Sequence, residues 1–484
     1  MRAVRIASVT VSLVLVLAAA AMSLVSLESF DPEPGDPDLV LGPYTHPAGG
    51  IPLDLSIGIG SAAYRGPLDF FPFSIWDFLF DLFHVGHRRN PVVDAIWTVS
   101  DRGPNIQCEE APLFLGLTDV VACPAEGSVA AGVGRLYPRP DYSPSIFRVL
   151  LLRDGTFRVA KTIPLRTRNG HPVLGLPNPL TVATTEVPRD GNAKVIAQDA
   201  GSIDAEAIVH VPLFGGRFLI GEENGTSILE VTDSGRVLKR FVPAGTEQDF
   251  TNPGGGLAPA DYAIDGSLPA ILAKRRLNRG IESLAISPDL RFVYALMQSP
   301  LDNPTGSGAV RDSGRLRLFK FRIQWRANGS SLEPVGEWIY QLEPAATFIA
   351  LGEAPTLRVR DLRVSEMLRV GPERFLVLER TDLITILYEV DLATGTNILG
   401  PPFDDLATSP SLEQLPTLAG AGITALAKTQ RLIASSLPGA TPLFPQKLEG
   451  LAIARDGRLL VINDDDFGIA NQRTQINKVT GVLE

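Results

Sequence analysis

The chain has 484 residues, 45% of them apolar and 20% charged, which is enough to bury a large core and too ordered a composition for a disordered polymer. Its 44 Lys and Arg face 54 Asp and Glu, and the net charge of −10 speaks against a protein that grips the phosphate backbone of nucleic acid. The 45 Gly and 39 Pro recur without a period, which excludes a collagen and implies many turns.

Arg2 and Arg5 precede an apolar run from Ile6 to about Leu27 that contains the small residues Ala18 to Ala21, and the acidic segment DPEPGDPD follows it. This is the layout of a secretory signal over 1–27, then a Pro-rich linker over 28–53 and one domain over 54–484. The run is also long enough to remain as an uncut anchor. No Cys lies near its end, so lipid attachment there is excluded. The expected location is periplasmic or extracellular.

The first strand of the domain is read at SAAYRG, the second at AIWTVSDRGP and a third at SPSIFRVLLLRDG. Between the first two lies an aromatic-rich insertion, 67–90, where Asp77 and Asp81 share one helical face and Trp76, Phe78, Leu79, Phe80, Leu82 and Phe83 cover the rest. It is too short and too acidic to span a bilayer. A helical cap packed on the domain, a lid, or a peripheral membrane contact would each suit it. Cys108 and Cys123, the only cysteines, fall in a loop-like stretch; one structural disulfide suits an exported chain, with two free thiols as the alternative.

From residue 206 onward one pattern returns: an acid, an apolar strand, a turn carrying Gly or Asp and a basic residue, a second apolar strand, then another polar or acidic residue. It occurs at Glu206 with AIVHVPLFGGRFLIGEENG, Glu282 with SLAISPDLRFVYALMQSPL, Glu366 with MLRVGPERFLVLERTD and Glu449 with GLAIARDGRLLVINDDD. A further strand follows each copy, so the unit is an antiparallel meander, and the opening segment is a degenerate fifth copy. Such units cannot cover both faces alone; stacked around an axis they give an all-β propeller. Five units are visible and a sixth is expected within 166–203 or 398–446, making six blades.

In an antiparallel hairpin the start of the first strand and the end of the second lie at the same edge. Glu206 with Glu222 and Glu223, Glu282 with Gln298, Glu366 with Glu379, Glu449 with Asp464 and Asp465, and Asp101 should therefore gather on one face. Crowded carboxylates raise one another's pKa or take up a cation, and oxygen ligands without His or Cys select a hard ion, above all Ca²⁺. Arg102, Arg279, Arg380 and Lys447 interleave with the acids. That mixture suits a phosphate ester shared between metal and cations, and ion pairs that only hold the fold together would explain it as well.

The strings VSDRGP, EAIVHVP with GEENGTSI, NRGIESLAISPD with QSPL, LVLERTD, and KLEGLAIARDG with NDDDFG occur in order, and with them the region from about 54 to 482 resembles the exported "esterase-like activity of phytase" family. The resemblance implies a β-propeller that hydrolyses phosphate or other esters. It carries over Asp101 and Arg102, Asp204 and Glu206, Glu223, Glu282, Glu379 and Arg380, Glu449, and Asn463 to Asp465. The Gly that usually follows the acid is Ala207 and Ser283 here and is kept as Gly450, and the insertion at 67–90 looks additional.

No GxSxG elbow, P-loop GK or RHGxRxP string occurs, so serine-hydrolase, nucleotide-triphosphatase and phosphohistidine chemistry lose their signatures. Two functions remain. One is a Ca²⁺-assisted hydrolase with Glu206, Glu282, Arg102, Arg380 and Lys447 as catalytic candidates and Asp101, Asp204, Glu206, Glu223, Glu282, Glu379, Glu449 and Asp464 as metal candidates. The other is a non-catalytic propeller that binds a ligand or partner. A monomer with a small ester substrate and no nucleic acid is expected.

Overall fold

The computed structural model describes residues 26–66, 91–212, 215–434, 446–470 and 473–479. The secretory run, apart from its last residues, and the insertion at 67–90, read as a helical cap, a lid or a membrane contact, lie outside the described residues. No described helix is long and apolar enough to cross a membrane.

Five antiparallel sheets form the body. The first orders Ala62–Tyr64, Val92–Val99, Ser145–Leu152 and Thr156–Pro164; the second Ala205–Val211, Arg217–Glu222, Ser227–Thr232 and Val237–Pro243, with Ala263–Leu268 added parallel at its outer edge. Ile281–Ile286, Phe292–Met297, Arg315–Gln324 and Ser331–Gln341 make the third; Arg363–Gly371, Arg374–Arg380, Thr385–Asp391 and Lys428–Ile433 the fourth. In the fifth, Leu448–Ile453, Leu459–Asn463 and Ile476–Val479 are completed by Leu27–Pro32.

Strands such as Ala205–Val211 are buried along their whole length, because each sheet is covered on both faces by its neighbours. Five apolar cores fill the gaps in cyclic order. Val99 and Ile146 of the first sheet meet Ile208 and Phe218 of the second; Val209 and Leu219 meet Val293 and Phe319; Tyr294 and Leu318 meet Val377 and Ile386; Leu376 and Leu378 meet Leu459 and Val461; Leu460 and Ile462 return to Ile96 and Phe147. The innermost strands touch in the same closed order, a propeller-like ring.

Among the described residues this ring closes with five sheets, and the expected sixth unit does not form. The segment 166–203 supplies only Pro188–Arg189 to a small sheet with Arg135–Leu136 and Ile106–Gln107, and 398–446 contains the outer strand Lys428–Ile433 of the fourth sheet. The stretch read as a linker is also built in. Leu27 to Phe30 pair antiparallel with Val479 to Ile476, and Asp31 and Pro32 pair parallel with Thr156 and Phe157, so one strand from the N-terminus locks the last sheet to the first. Val40–Tyr44 and Leu53–Ser56 form a hairpin. Beside it, Cys108 and Cys123 form the disulfide at a Cα separation of 5.9 Å, and Leu53, Leu55, Ile106 and Leu136 pack around it as a small cap.

A split acidic and basic cluster at one end of the axis

Register explains which side chains reach the axis. In sheets two to five the innermost strand slips by one residue at its start: between Ala205↔Glu222 and Ala207↔Gly221, Ile281↔Met297 and Ser283↔Leu296, Val364↔Glu379 and Glu366↔Leu378, and Leu448↔Asn463 and Gly450↔Ile462. The extra residue of each bulge is Glu206, Glu282, Ser365 and Glu449, and a bulge re-aims the side chain it carries. Residues after the paired partners are Glu223, Gln298, Arg380 and Asp464; in the first sheet the last paired residue is Val99, and Asp101 follows two places on. Gly280 is required here, because a Cβ on it would collide with the Glu223 carbonyl.

This slip corrects the pairing of Glu366 with Glu379. The bulge position of the fourth sheet is Ser365, so Glu366 is displaced by one residue and its carboxylate accepts from the Met367 backbone N–H. Glu379 faces the flank of its sheet, where its oxygens accept from Tyr340 Oη at 2.8 Å, the Glu343 backbone N–H at 2.6 Å and Lys428 Nζ at 2.9 Å. The structure does not bring Glu379 to the cluster.

The acidic side is formed by the first two sheets. One carboxylate oxygen from each of Asp101, Asp204 and Glu206 lies within 4.8 Å of the others. Asp101 Oδ1 accepts from the Gly103 backbone N–H at 2.9 Å, and the Arg102 backbone N–H donates to Asp204 Oδ1 at 3.3 Å. Arg102 Nη2 stands 2.9 Å from Asp204 Oδ2 but off the direction of a hydrogen bond; its Nη1 donates to Glu186 Oε2 at 2.8 Å, and Arg135 Nη2 holds Glu186 Oε1 at 3.0 Å. Glu186 carries no motif and lies in a segment that alternates neither as helix nor as strand, which hides it from sequence reading.

Burial is the main influence on these acids, and their neighbours add to it. It pushes Asp101 well up, with Asp464 and Asp204 reinforcing; Glu206 rises for the same reason, with Asp204, Glu223 and Asp101 beside it. Glu223 is raised by burial and then by Glu282. Asp204 is pushed up to about 6 by burial, against the pull of Arg102. Four carboxylates that resist ionisation together are relieved by protons or by a hard cation.

Sheets three to five supply the basic side, and here most charges are matched. Arg380 pairs with Glu449, donates to Ser365 Oγ at 2.9 Å and reaches Asp382 at 3.3 Å. Lys447 donates to Asp464 Oδ2 at 2.7 Å and pairs with Asp466. Glu282 stands between the two sides: burial raises it, Arg380 opposes, and its Oε2 is buried without a hydrogen-bond partner. Asp465 turns toward the N-terminal hairpin, accepting from Ser56 Oγ at 3.1 Å and the Thr474 backbone N–H at 3.2 Å. Asn463 binds the Gln475 backbone N–H at 2.7 Å. Neither belongs to the cluster.

The sequence model described as "Phytase-like: Esterase-like activity of phytase" matches residues 88–467. The chain belongs to this family. No curated protein matches this phytase-like chain. Among solved structures it is similar to a protein from Lactobacillus plantarum, at 9% identity and a TM-score of 0.28 over 78% of this chain and 79% of that one. It is also similar to an auxiliary nutrient binding protein from Bacteroides thetaiotaomicron, at 9% identity and 0.30 over 94% and 76%. A virginiamycin B lyase from Staphylococcus aureus follows at 9% identity and 0.25, over 95% and 100%. The family assignment rests on the sequence match.

Proposed function

We propose that this phytase-like protein is an exported hydrolase of phosphate or other esters, working with Ca²⁺ held by Asp101, Asp204 and Glu206. The observation that carries the reading is the meeting of those three carboxylates, 103 and 105 residues apart in the chain for Asp101 with Asp204 and Glu206, within 4.8 Å in a buried all-oxygen setting. Glu223 stands close enough to feel Asp204 and would complete the set. When bound, the ion supplies Lewis acidity toward an ester oxygen and a place for a nucleophilic water.

The chain's own residues do the rest. Arg135 holds Glu186, Glu186 and Asp204 hold Arg102, and that chain of contacts fixes one wall of the cluster. Glu282 Oε2, raised by burial and without a partner, is fitted to carry a proton to a leaving oxygen. Arg102, Arg380 and Lys447 already lie against carboxylates, so they position those acids first and meet a substrate second. Export accords with the charged and apolar start of the chain and with the closed disulfide.

The test is release of phosphate from p-nitrophenyl phosphate and from phytate, with Ca²⁺ and then with chelator. Turnover that depends on Ca²⁺ and drops at least a hundredfold in Glu206→Gln supports the reading. Absence of turnover on both, together with no rise in melting temperature on adding Ca²⁺, leaves the binding-protein reading, in which the paired cations serve only the fold.

A further inference from the structure

The outermost strand of the third sheet, Ser331–Gln341, pairs with no further strand among the described residues, and an excursion of the fourth sheet covers its edge instead. The excursion runs from Leu392 to Ala427, between the strands Thr385–Asp391 and Lys428–Ile433, and is far longer than a hairpin connection needs. Its backbone N–H groups at Ile398 and Leu426 donate to the carbonyls of Glu337 and Ile339 at 2.8 and 2.9 Å, and Asn397 Oδ1 accepts from the Glu337 backbone N–H at 3.0 Å. Leu412 and Ile423 pack on Ile339, and Ser411 Oγ donates to the Asn303 carbonyl at 2.6 Å.

Beneath the excursion one guanidinium meets three carboxylates. Buried Arg317 donates from Nη1 to Glu337 Oε1 at 2.9 Å and to the Phe403 carbonyl at 3.0 Å, and from Nε to Glu413 Oε1 at 3.1 Å. Asp404 Oδ1 stands 3.5 Å from the same Nη1, while its Oδ2 accepts from the Gly400 backbone N–H at 2.6 Å. The other cation at this joint, Arg315, donates from Nη1 to the Leu412 carbonyl at 2.7 Å. Three negative charges around Arg317 in a dry setting are not balanced by that one ion. Glu337 Oε2 and Asp404 Oδ1 are buried and accept no hydrogen bond, although the two side chains are in hydrogen-bond contact. Two facing carboxylate oxygens repel, and a proton between them supplies the donor that both lack. Burial raises the Glu337 carboxyl well above the usual range; Arg317 pulls against this, and the contact with Asp404 adds to it.

We propose that Glu337 and Asp404 share one proton, and that this proton is a latch which fastens the excursion 392–427 to the edge of the third sheet and releases it at alkaline pH. The charged groups facing Glu337 are Arg317 from the neighbouring strand and Asp404 and Glu413 from the excursion, with Arg315 beside Glu413. Release moves the proton from Glu337 Oε2 to solvent and leaves three carboxylates on Arg317, two of them carried by the excursion. Repulsion then acts across the joint, and the backbone groups of Ser331–Gln341 become open to water. An unconstrained Glu titrates near about 4.3, so the latch is complete below that value and is lost as pH rises through the raised value of Glu337. It works at a distance from the acidic cluster and holds whether or not the protein is a hydrolase.

The experiment follows amide hydrogen exchange of the full chain at pH 5 and pH 9, with every rate corrected for the intrinsic pH dependence of exchange. Wild type is expected to lose at least tenfold of its protection over 397–426 at pH 9, while the buried strand Ala205–Val211, which reports opening of the whole ring, changes less. Glu337→Gln, whose amide can donate to Asp404 at any pH, should hold the excursion closed at pH 9. Asp404→Asn removes the same repulsion from the other side and should do likewise, which keeps the test decisive if the first variant folds poorly. The proposal is overturned if wild type protects the excursion equally at both pH values, if Ala205–Val211 loosens as much as the excursion, or if a folded variant opens at pH 9 as far as wild type.

Discussion

Glu222 and Glu206 show how two similar acids a few ångströms apart in the ladder come to different ends. Glu222 is fully satisfied: Oε1 accepts from the backbone N–H groups of Asp204 and Asn224 at 3.2 and 3.1 Å, and Oε2 from Gly225, Ser227 and Arg240 at 2.6, 3.2 and 2.8 Å. Glu206, on the bulge, faces other carboxylates. Glu222→Gln is expected to cost about 3 kcal/mol or more by leaving Arg240 buried without its counter-charge, measured by denaturant unfolding. Glu206→Gln should leave the metal-free protein at least as stable, since it removes a charge from a crowded site, while turnover falls. A large loss of stability in Glu206→Gln would assign it to the scaffold instead.

At the scale of single elements, two features hold parts that the ring alone would leave loose. The disulfide closes a separation of 15 residues in the cap, and a loop of that size corresponds to roughly 3 kcal/mol in the chain-entropy account. Replacing Cys108 and Cys123 with Ser should lower the melting temperature under non-reducing conditions, and reductant should then have no further effect on the variant. The strand Leu27–Pro32 pairs on both edges, with the fifth sheet and the first. A chain starting after Pro32 would lose both sets of strand pairs that tie the fifth sheet to the first, so its unfolding in denaturant should become broader and less cooperative; a transition as sharp as that of the full chain would show that the strand adds nothing to the closure.

For the molecule as a whole, the buried acids tie stability to pH and to metal. In an unfolded chain Asp titrates near 3.9, whereas Asp204 is pushed up to about 6 and Asp465 to about 7, both chiefly by burial. Between those values the folded protein holds protons that the unfolded chain has released. Their stabilising contribution is therefore complete below about pH 4 and is lost as pH rises through 6 to 7. Carboxylates held low, such as Glu186, act in the opposite sense only at more acid pH. From pH 5 to 8 the metal-free protein should lose melting temperature, and added Ca²⁺ should restore more at pH 8 than at pH 5, because at low pH it competes with bound protons. Calorimetric scans check both; a Ca²⁺ effect larger at pH 5 would contradict a carboxylate site.

Legibility followed the range of the forces involved. Local alternation and turn chemistry marked the hairpins at Glu206, Glu282, Glu366 and Glu449, and the chain order of the motifs marked the family, because both are written within a few consecutive residues. Strand termini predicted one end for Asp101, Glu206, Glu223, Glu282, Glu449 and Asp464, and charge effects link them: Asp464 pushes up Asp101, the carboxylates of Glu223, Asp101 and Glu449 push up Glu206, and Glu282 pushes up Glu223 and Glu449. What the residues could not say was decided by distant packing. The number of sheets is set when the cores close a circle; the places of Glu379 and Ser365 are set by a one-residue slip; Glu186 reaches the cluster from a segment without a motif. A bulge and a ring closure each depend on partners far away in the chain, so only the folded structure could determine them.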